Sequence, residues 1–377
     1  MATEGSQRPR FVFAGGGTGG HLYPALAIAE EIRRRVDDAE IVFIGTAGKI
    51  EARVVPKAGY RFETIWISGF RRTLSWSLFL FPVKVLVSLA QSWFLLHRLR
   101  PAVVVGTGGY VCGPPVFMAS LRGIPVVVQE QNSYPGVTTR MLAKRAATVF
   151  LSYERSKKYL DPRTKTLVVG NPTRSSVGHV GRDEAATFFG IDPSLTTVLI
   201  FGGSLGASSI NRAVGKRLPG LLEGETQLLW QTGERDVAAA KAAIENLPAE
   251  HRKRVKVFAF IDRMDLAYGA SDIAVCRSGA STLAELALAG VPAVLVPYPF
   301  AAADHQTENA RAVAEQGAAV VCPDKEIDDR ITEMLGGLFH DVARRRTMAE
   351  RMRSLARPEA AATIAETVIG YSRQAHD

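Results

Sequence analysis

Short apolar, β-branched runs recur along the chain, each closed by a glycine-rich or polar turn and followed by an Ala/Leu-rich stretch of helical period. Apolar runs without alternation suit strands buried on both faces, the pattern of parallel sheets covered by helices. They predict strands at 10–14, 41–45, 102–106, 125–129 and 147–151, and again at 197–202, 227–231, 255–260, 273–276, 293–296 and 318–321. The implied class is α/β, each half forming its own doubly wound parallel sheet. Two such Rossmann-like domains facing across a cleft would hold a ligand at the carboxyl ends of their strands. Gly170, Asn171 and Pro172 punctuate the middle of the chain. The expected division is therefore 1–170, 171–350 and a C-terminal helical segment, 351–377, able to pack back on the first domain.

Length and composition agree with two cores. The chain has 377 residues, 47% hydrophobic and 22% charged, which excludes a disordered tail. Three scattered cysteines, Cys112, Cys276 and Cys322, suggest neither a disulfide framework nor a zinc knuckle. Near the N-terminus only Phe11 to Ala14 form an apolar run, short of the ~7–15 residues of a leader's core, so the chain is expected to stay where it is made.

Charge is unevenly divided. Residues 1–172 hold 23 Lys/Arg and 11 Asp/Glu, residues 173–377 hold 23 and 26, so the net +9 separates into +12 and −3. A field on one domain orients a molecule toward an acidic partner. The basic half carries no nucleic-acid motif, so nucleic acid is not the expected partner. It does carry the apolar stretch Leu74 to Leu96, including Trp76, Leu78, Phe79 and Phe81, interrupted by Pro82, Lys84 and Gln91. Flanking Arg71, Arg72, Arg98 and Arg100 suit helices docked on an anionic membrane surface better than a span.

Candidate chemistry lies in the strand-to-helix loops. Gly15, Gly17 and Gly20 spell the G-x-G-x-x-G fingerprint, but the next strand ends Ile44-Gly45-Thr46, with no carboxylate to hold an adenosine ribose. The glycines still permit close approach to a ligand. His21 closes this loop at a helix start, where the dipole opposes a positive charge; that suits a general base, although a loop-bracing role fits the same position. The loop at 202–208 lacks the lysine of a Walker A sequence, yet its amides and Ser204 can cradle a diphosphate. At 277–285, Ser278, Ser281 and Thr282 offer hydroxyls and amides to an anion, and Glu285 can take two ribose hydroxyls. Glu285, three residues after Thr282, also fits a capping box. Asp304, His305, Gln306 and Asn309 open another helix with groups suited to sugar hydroxyls.

GGTGGH (16–21), GTGGYVCGP (106–114), QEQN (129–132), GNPTR (170–174), GGSLGA (202–207), FID (260–262), RSGASTLAE (277–285) and DHQTENA (304–310) occur in this order. Together they resemble the MurG family of glycosyltransferases. The resemblance implies a GT-B fold and inverting transfer of N-acetylglucosamine from UDP-GlcNAc to the C4 hydroxyl of the MurNAc of lipid I, undecaprenyl-pyrophosphoryl-MurNAc-pentapeptide. It also implies release of UDP, and a peripheral location on the cytoplasmic face of the cell membrane.

Carried over by motif, Ile261 would flank uracil and Glu285 would bind ribose. Ser204 and the helix start Ala280, Ser281, Thr282, Leu283 and Ala284 would hold the diphosphate, and Gln306 would read the GlcNAc hydroxyls. Arg174 and Asn132 would reach the donor from the linker and first domain, and Thr18, Gly19 and Gly20 would close on it. His21 is the candidate base and Glu130 its rival. Without a D-x-D pair at a strand end, transfer with neither metal nor cofactor is expected. Two positions depart from the family pattern: Leu205 replaces the usual Gln, and Cys112 the usual Ser. A UDP-GlcNAc 2-epimerase of the same fold and a non-catalytic, membrane-recruiting subunit are the competing readings.

Overall fold

A computed structural model describes residues 8–69, 80–203, 206–301 and 304–374. The chain divides into two compact units, residues 1–174 with 358–377, and residues 175–357. The break expected at 350 falls inside the helix Val342–Ser354, whose Met348 and Met352 are buried in the second unit's core. Residues 171–174 belong with the first unit. Charge follows this division: the first unit has 25 Lys/Arg against 14 Asp/Glu, the second 21 against 23.

The first unit holds a seven-stranded parallel sheet, ordered β3-β2-β1-β4-β5-β6-β7. Its strands are β1 (Arg10–Ala14), β2 (Glu40–Gly45), β3 (Arg61–Thr64), β4 (Val103–Gly106), β5 (Val126–Glu130), β6 (Thr148–Leu151) and β7 (Thr166–Val168). Successive residues face opposite ways, so Phe11, Phe13 and Phe43 join one core layer while Val12, Val42 and Val104 join the other. Both faces are dry, which is why these strands are apolar throughout. The C-terminal helix Ala360–Gln374 completes the first layer: Ile364, Ala365 and Val368 are buried beside Phe11 and Ile28, and Tyr371 Oη meets Thr148 Oγ1 at 2.8 Å.

The second unit repeats the plan with six parallel strands, ordered β10-β9-β8-β11-β12-β13. These are β8 (Thr196–Phe201), β9 (Thr226–Gln231), β10 (Val255–Phe258), β11 (Ile273–Cys276), β12 (Ala293–Leu295) and β13 (Ala319–Val321). In each sheet the order reverses once, between β1 and β4 and between β8 and β11. At such a switch point the adjoining loops run to opposite faces and leave a crevice at the strands' carboxyl ends.

The long apolar helix Phe81–Leu99 of the first unit is turned inside out. It buries Ser88, Ser92, Leu96 and Leu99 and exposes Val83, Leu86, Trp93 and Phe94. Phe81 is half-buried at its start. Ser88 and Ser92 satisfy themselves by donating to the carbonyls of Val85 and Ser88, so they enter the packed face at little cost. Exposed Leu121, Val137 and Met141 lie on the next two helices, Gly113–Leu121 and Val137–Leu142. Arg122 lies over the Trp93 ring at 4.7 Å and Arg140 over Tyr134 at 5.0 Å. No helix among the described residues is long and apolar enough to cross a membrane. Arg71, Arg72, Leu74, Trp76, Leu78 and Phe79 lie outside the described residues.

Candidate active site

In the first unit the switch point brings the loop after β1 against the loop after β4. Thr18 is the extended N-cap of the helix Gly19–Arg35, with Gly19 and Gly20 as its first residues, and His21 follows in the first turn. The imidazole lies against Gly108, where an added Cβ would fall 2.7 Å from Nδ1, and its Cδ2 would be 3.3 Å from a Cβ on Gly109. Both glycines also have positive φ, +98° and +76°. Glycine is thus required here twice, for backbone conformation and for room.

His21 Nδ1 is 3.0 Å from Gln131 Oε1, and Thr107 Oγ1 donates to the His21 carbonyl at 2.8 Å. Gln131 is buried immediately after β5. Gln129 and Gln131 alternate onto one side, while Glu130 turns to the other. Both carboxylate oxygens of Glu130 are engaged: Oε1 accepts from Asn132 N and Nδ2 at 3.0 and 3.1 Å, and Oε2 from Gly136 N at 2.9 Å. Glu130 and Asn132 therefore organise one turn. Arg174 is stacked over the Tyr23 ring at 4.9 Å.

A buried carboxylate that sequence reasoning did not single out braces the glycine loop. Glu51, on the helix Ile50–Lys57, accepts from Gly17 N at 3.0 Å and from Thr46 N and Oγ1 at 3.2 and 2.8 Å. Cβ atoms on Gly16 or Gly45 would strike it. Its sequence context, IEARVVPK, reads as an ordinary surface helix; the glycine-rich turns on two neighbouring strands were the available signal. Cys112 is buried in the core, and burial pushes its thiol up to about 12. Cys112 therefore sits in this loop as a neutral packing group.

In the second unit, Gly206 (φ +76°) lies where any Cβ would be 2.0 Å from the Thr232 carbonyl, so this glycine packs directly against the turn after β9. Ser204 and Leu205 lie outside the described residues. The helices that follow, Ser208–Leu221 and Ala280–Ala289, have no acid in their first turn and no side-chain cap. Their N-terminal amides and dipoles favour an anion. Ala280 and Leu283 are buried, whereas Ser281, Thr282 and Ala284 are half-buried.

The capping-box reading of Glu285 is corrected. Gly279 is the N-cap of that helix, which places Glu285 six positions inside it, beyond the reach of the first amides. Its Oε2 instead accepts from Tyr268 Oη at 2.9 Å in a buried setting. Ile261 is buried in the core, so its side chain offers little to a base; its backbone N–H donates to Gln231 Oε1 at 2.8 Å, and Gln231 Nε2 donates to the Gly203 carbonyl at 3.1 Å. That amide couples two donor-loop candidates. Gln306, on the helix His305–Glu315, accepts from Tyr298 N at 3.0 Å, and its own carbonyl accepts from Ser278 Oγ at 2.7 Å. Asp304 holds a left-handed φ of +53° before that helix and accepts from Thr307 Oγ1 at 2.6 Å. Among the described residues, no group of three or more His, Cys, Asp and Glu could hold a metal.

Residues 11–151 match the model of the glycosyltransferase family 28 N-terminal domain, and residues 197–366 match that of its C-terminal domain. A protein of Salinibacter ruber is 43% identical over 368 residues, covering 97% of this chain and 98% of its own. One from Chlorobaculum tepidum is 42% identical over 369 residues, covering 97% and 100%. Both are named UDP-N-acetylglucosamine--N-acetylmuramyl-(pentapeptide) pyrophosphoryl-undecaprenol N-acetylglucosamine transferase. The crystal structure of Acinetobacter baumannii MurG superposes with a TM-score of 0.71 at 29% identity, covering 96% of this chain and 99% of that one. The calicheamicin glycosyltransferase CalG4, at 16% identity and a TM-score of 0.68 over 98% of this chain and 99% of its own, shares the fold.

Proposed function

Because the chain belongs to the MurG family within glycosyltransferase family 28, we propose that it moves N-acetylglucosamine from UDP-GlcNAc to the C4 hydroxyl of the N-acetylmuramyl sugar of undecaprenyl-pyrophosphoryl-MurNAc-pentapeptide. The products are lipid II and UDP, and the anomeric carbon inverts. The observation that carries this reading to the chemistry is the His21 imidazole fixed at the first sheet's switch point among Gly108, Gly109 and Gln131. His21 takes the proton of the C4 hydroxyl as that oxygen attacks the anomeric carbon. The bond from that carbon to the β-phosphate oxygen breaks on the opposite side, and its electron pair leaves with UDP. Commitment of both Glu130 oxygens to Asn132 and Gly136 favours His21 over Glu130 as the base.

The second unit supplies the donor site in this reading. Negative charge growing on the leaving diphosphate meets the amides at Ser208 and at Ala280–Ala284, with Ser204 and Arg174 contributing, and the chemistry needs no metal. Glu285 takes the ribose hydroxyls, the Ile261 segment flanks uracil, and Gln306 reads the sugar. By the motif resemblance, Thr18, Gly19, Gly20 and Asn132 of the first unit belong to the same set of donor-binding residues.

The exposed apolar face of Phe81–Leu99 and the first unit's positive charge support peripheral docking on an anionic membrane at its cytoplasmic face, where a lipid-linked acceptor resides. Arg71, Arg72, Leu74, Trp76, Leu78 and Phe79 belong to the same proposed surface by sequence. Neither the epimerase nor the recruiting subunit is what the full-length relatives are named for. Incubation with labelled UDP-GlcNAc and a lipid I analogue tests the proposal: a disaccharide-lipid with one UDP per product is expected. UDP-ManNAc or free UDP without disaccharide would overturn it.

A further inference from the structure

The hydrogen bonds around Gln131 settle which nitrogen of His21 carries the proton. Gln131 Nε2 faces the Thr107 carbonyl at 2.6 Å. A carbonyl only accepts, so the amide nitrogen must be on that side and the amide oxygen on the other. The second hydrogen of the same nitrogen goes to Gln129 Oε1, and Gln129 Nε2 donates in turn to Asn171 Oδ1 at 3.3 Å. Gln129 and Gln131 are fully buried, which leaves water little access to reverse the order. The oxygen presented to His21 Nδ1, at 3.0 Å, can only accept. A neutral His21 must therefore be protonated on Nδ1, and its Nε2 carries the lone pair.

We propose that Gln131 is a positioning residue for the transfer reaction: anchored by the Thr107 carbonyl and Gln129, it holds His21 in the Nδ1–H tautomer and so makes Nε2 the atom that receives the acceptor's proton. The inference rests on the reading of His21 as the base, but the tautomer itself is observable without turnover. A neutral amide in this place fixes the ring without placing a negative charge beside it, unlike the carboxylate that orients histidine in hydrolase triads. Both Glu51 and Glu130 are engaged with other donors, Gly17 and Thr46 for the first, Asn132 and Gly136 for the second.

The test uses the full chain labelled with 15N-histidine and held above the titration range of imidazole, with the His21 signals assigned by their loss in His21→Gln. The native protein is expected to show a protonated Nδ1 and a bare Nε2 at His21. Gln131→Met, similar in length but with only a weakly accepting thioether in place of the amide oxygen, should mix the two tautomers and lower kcat about tenfold with the KM for UDP-GlcNAc unchanged. A native protein with Nε2–H, or a Gln131→Met protein with unchanged tautomer, overturns the proposal and needs no variant activity to do so. A mixed tautomer with full kcat also overturns the positioning role of Gln131 in the transfer, and it traces the failure to the base assignment of His21. Loss of folding in Gln131→Met leaves the native spectrum as the deciding measurement.

Discussion

Replacing Gly108 by alanine should separate the two demands made on that position. The backbone there has φ +98°, and holding an L-residue in the left-handed region costs about 1–2 kcal/mol. For a folding unit of this size each kcal/mol lowers Tm by about 2–4 °C. The added Cβ would also fall 2.7 Å from His21 Nδ1 and 3.0 Å from Cε1, with the Gln131 oxygen at 3.4 Å. Ordinary contact requires the imidazole to retreat by roughly 0.7 Å, which breaks the Nδ1 hydrogen bond, and misplacement on the order of 1 Å can cost ~100-fold in rate. Gly108→Ala is therefore expected to lose roughly 10- to 100-fold in kcat. Gly123→Ala is the control: φ is +72°, in the same unit, with nothing within 4 Å of the added carbon. It should show a similar fall in Tm with full kcat. Thermal melts and steady-state transfer on both variants decide the matter, and equal kcat in the two would refute contact with His21 as the reason for glycine at 108.

Glu285→Ala should raise the KM for UDP-GlcNAc with a smaller change in kcat, and should lower stability by about 1–3 kcal/mol because Tyr268 Oη loses its buried partner; urea titration reads the second effect. Leu86→Asp with Phe94→Asp, at side chains 68% and 70% exposed, should weaken sedimentation with anionic vesicles while leaving Tm within about 1 °C. Adding salt should weaken the native protein's sedimentation further. Glu51→Gln puts an amide nitrogen where three donors converge, so loss of about 1–3 kcal/mol in stability and a lower kcat are expected together, measured by urea midpoint and turnover. Burial raises Cys112 to about 12 and Cys322 to about 11 and pushes Cys276 up as well, so the fold holds all three thiols protonated. That contribution is complete below the unfolded value of 9.0 and is lost as pH rises from there to the folded values of about 11 and about 12, so urea midpoints should fall from about pH 9 upward, and the native thiols should resist maleimide.

The central strands were legible because burial on both faces leaves a continuous apolar run. β3, with sequence RFET, and β7, with TLV, escaped for the opposite reason: they are short edge strands with exposed or half-buried residues and pair on one side only. His21 and Glu285 could be picked out because chemistry-bearing side chains stand beside glycine-rich turns. Their partners could not. Gln131 meets His21 across 110 residues and Glu51 meets Gly17 across 34, and neither has a local pattern distinguishing it from a solvated polar residue. The alternation of Gln129, Glu130 and Gln131 at the end of a predicted strand was the one available hint, since period two sends the two amides to one side together. The helix start at Ala280 was legible, but its cap was not: glycine is a weaker N-cap signal than the Ser and Thr that follow it, which is how Glu285 came to fit a capping box.

The return of the Ala360–Gln374 helix to the first unit bears on how the protein is made. The second unit is one unbroken stretch, 175–357, and can complete its core as it leaves the ribosome. The first unit begins earlier yet must wait for the helix Ala360–Gln374, because Ile364, Ala365 and Val368 cover the layer that contains Phe11 and Ile28. The half synthesised first is thus the half finished last. A stop codon before residue 360 should leave the second unit intact and strand the first with its apolar layer bare, a defect that chaperones and proteases would meet before any substrate did.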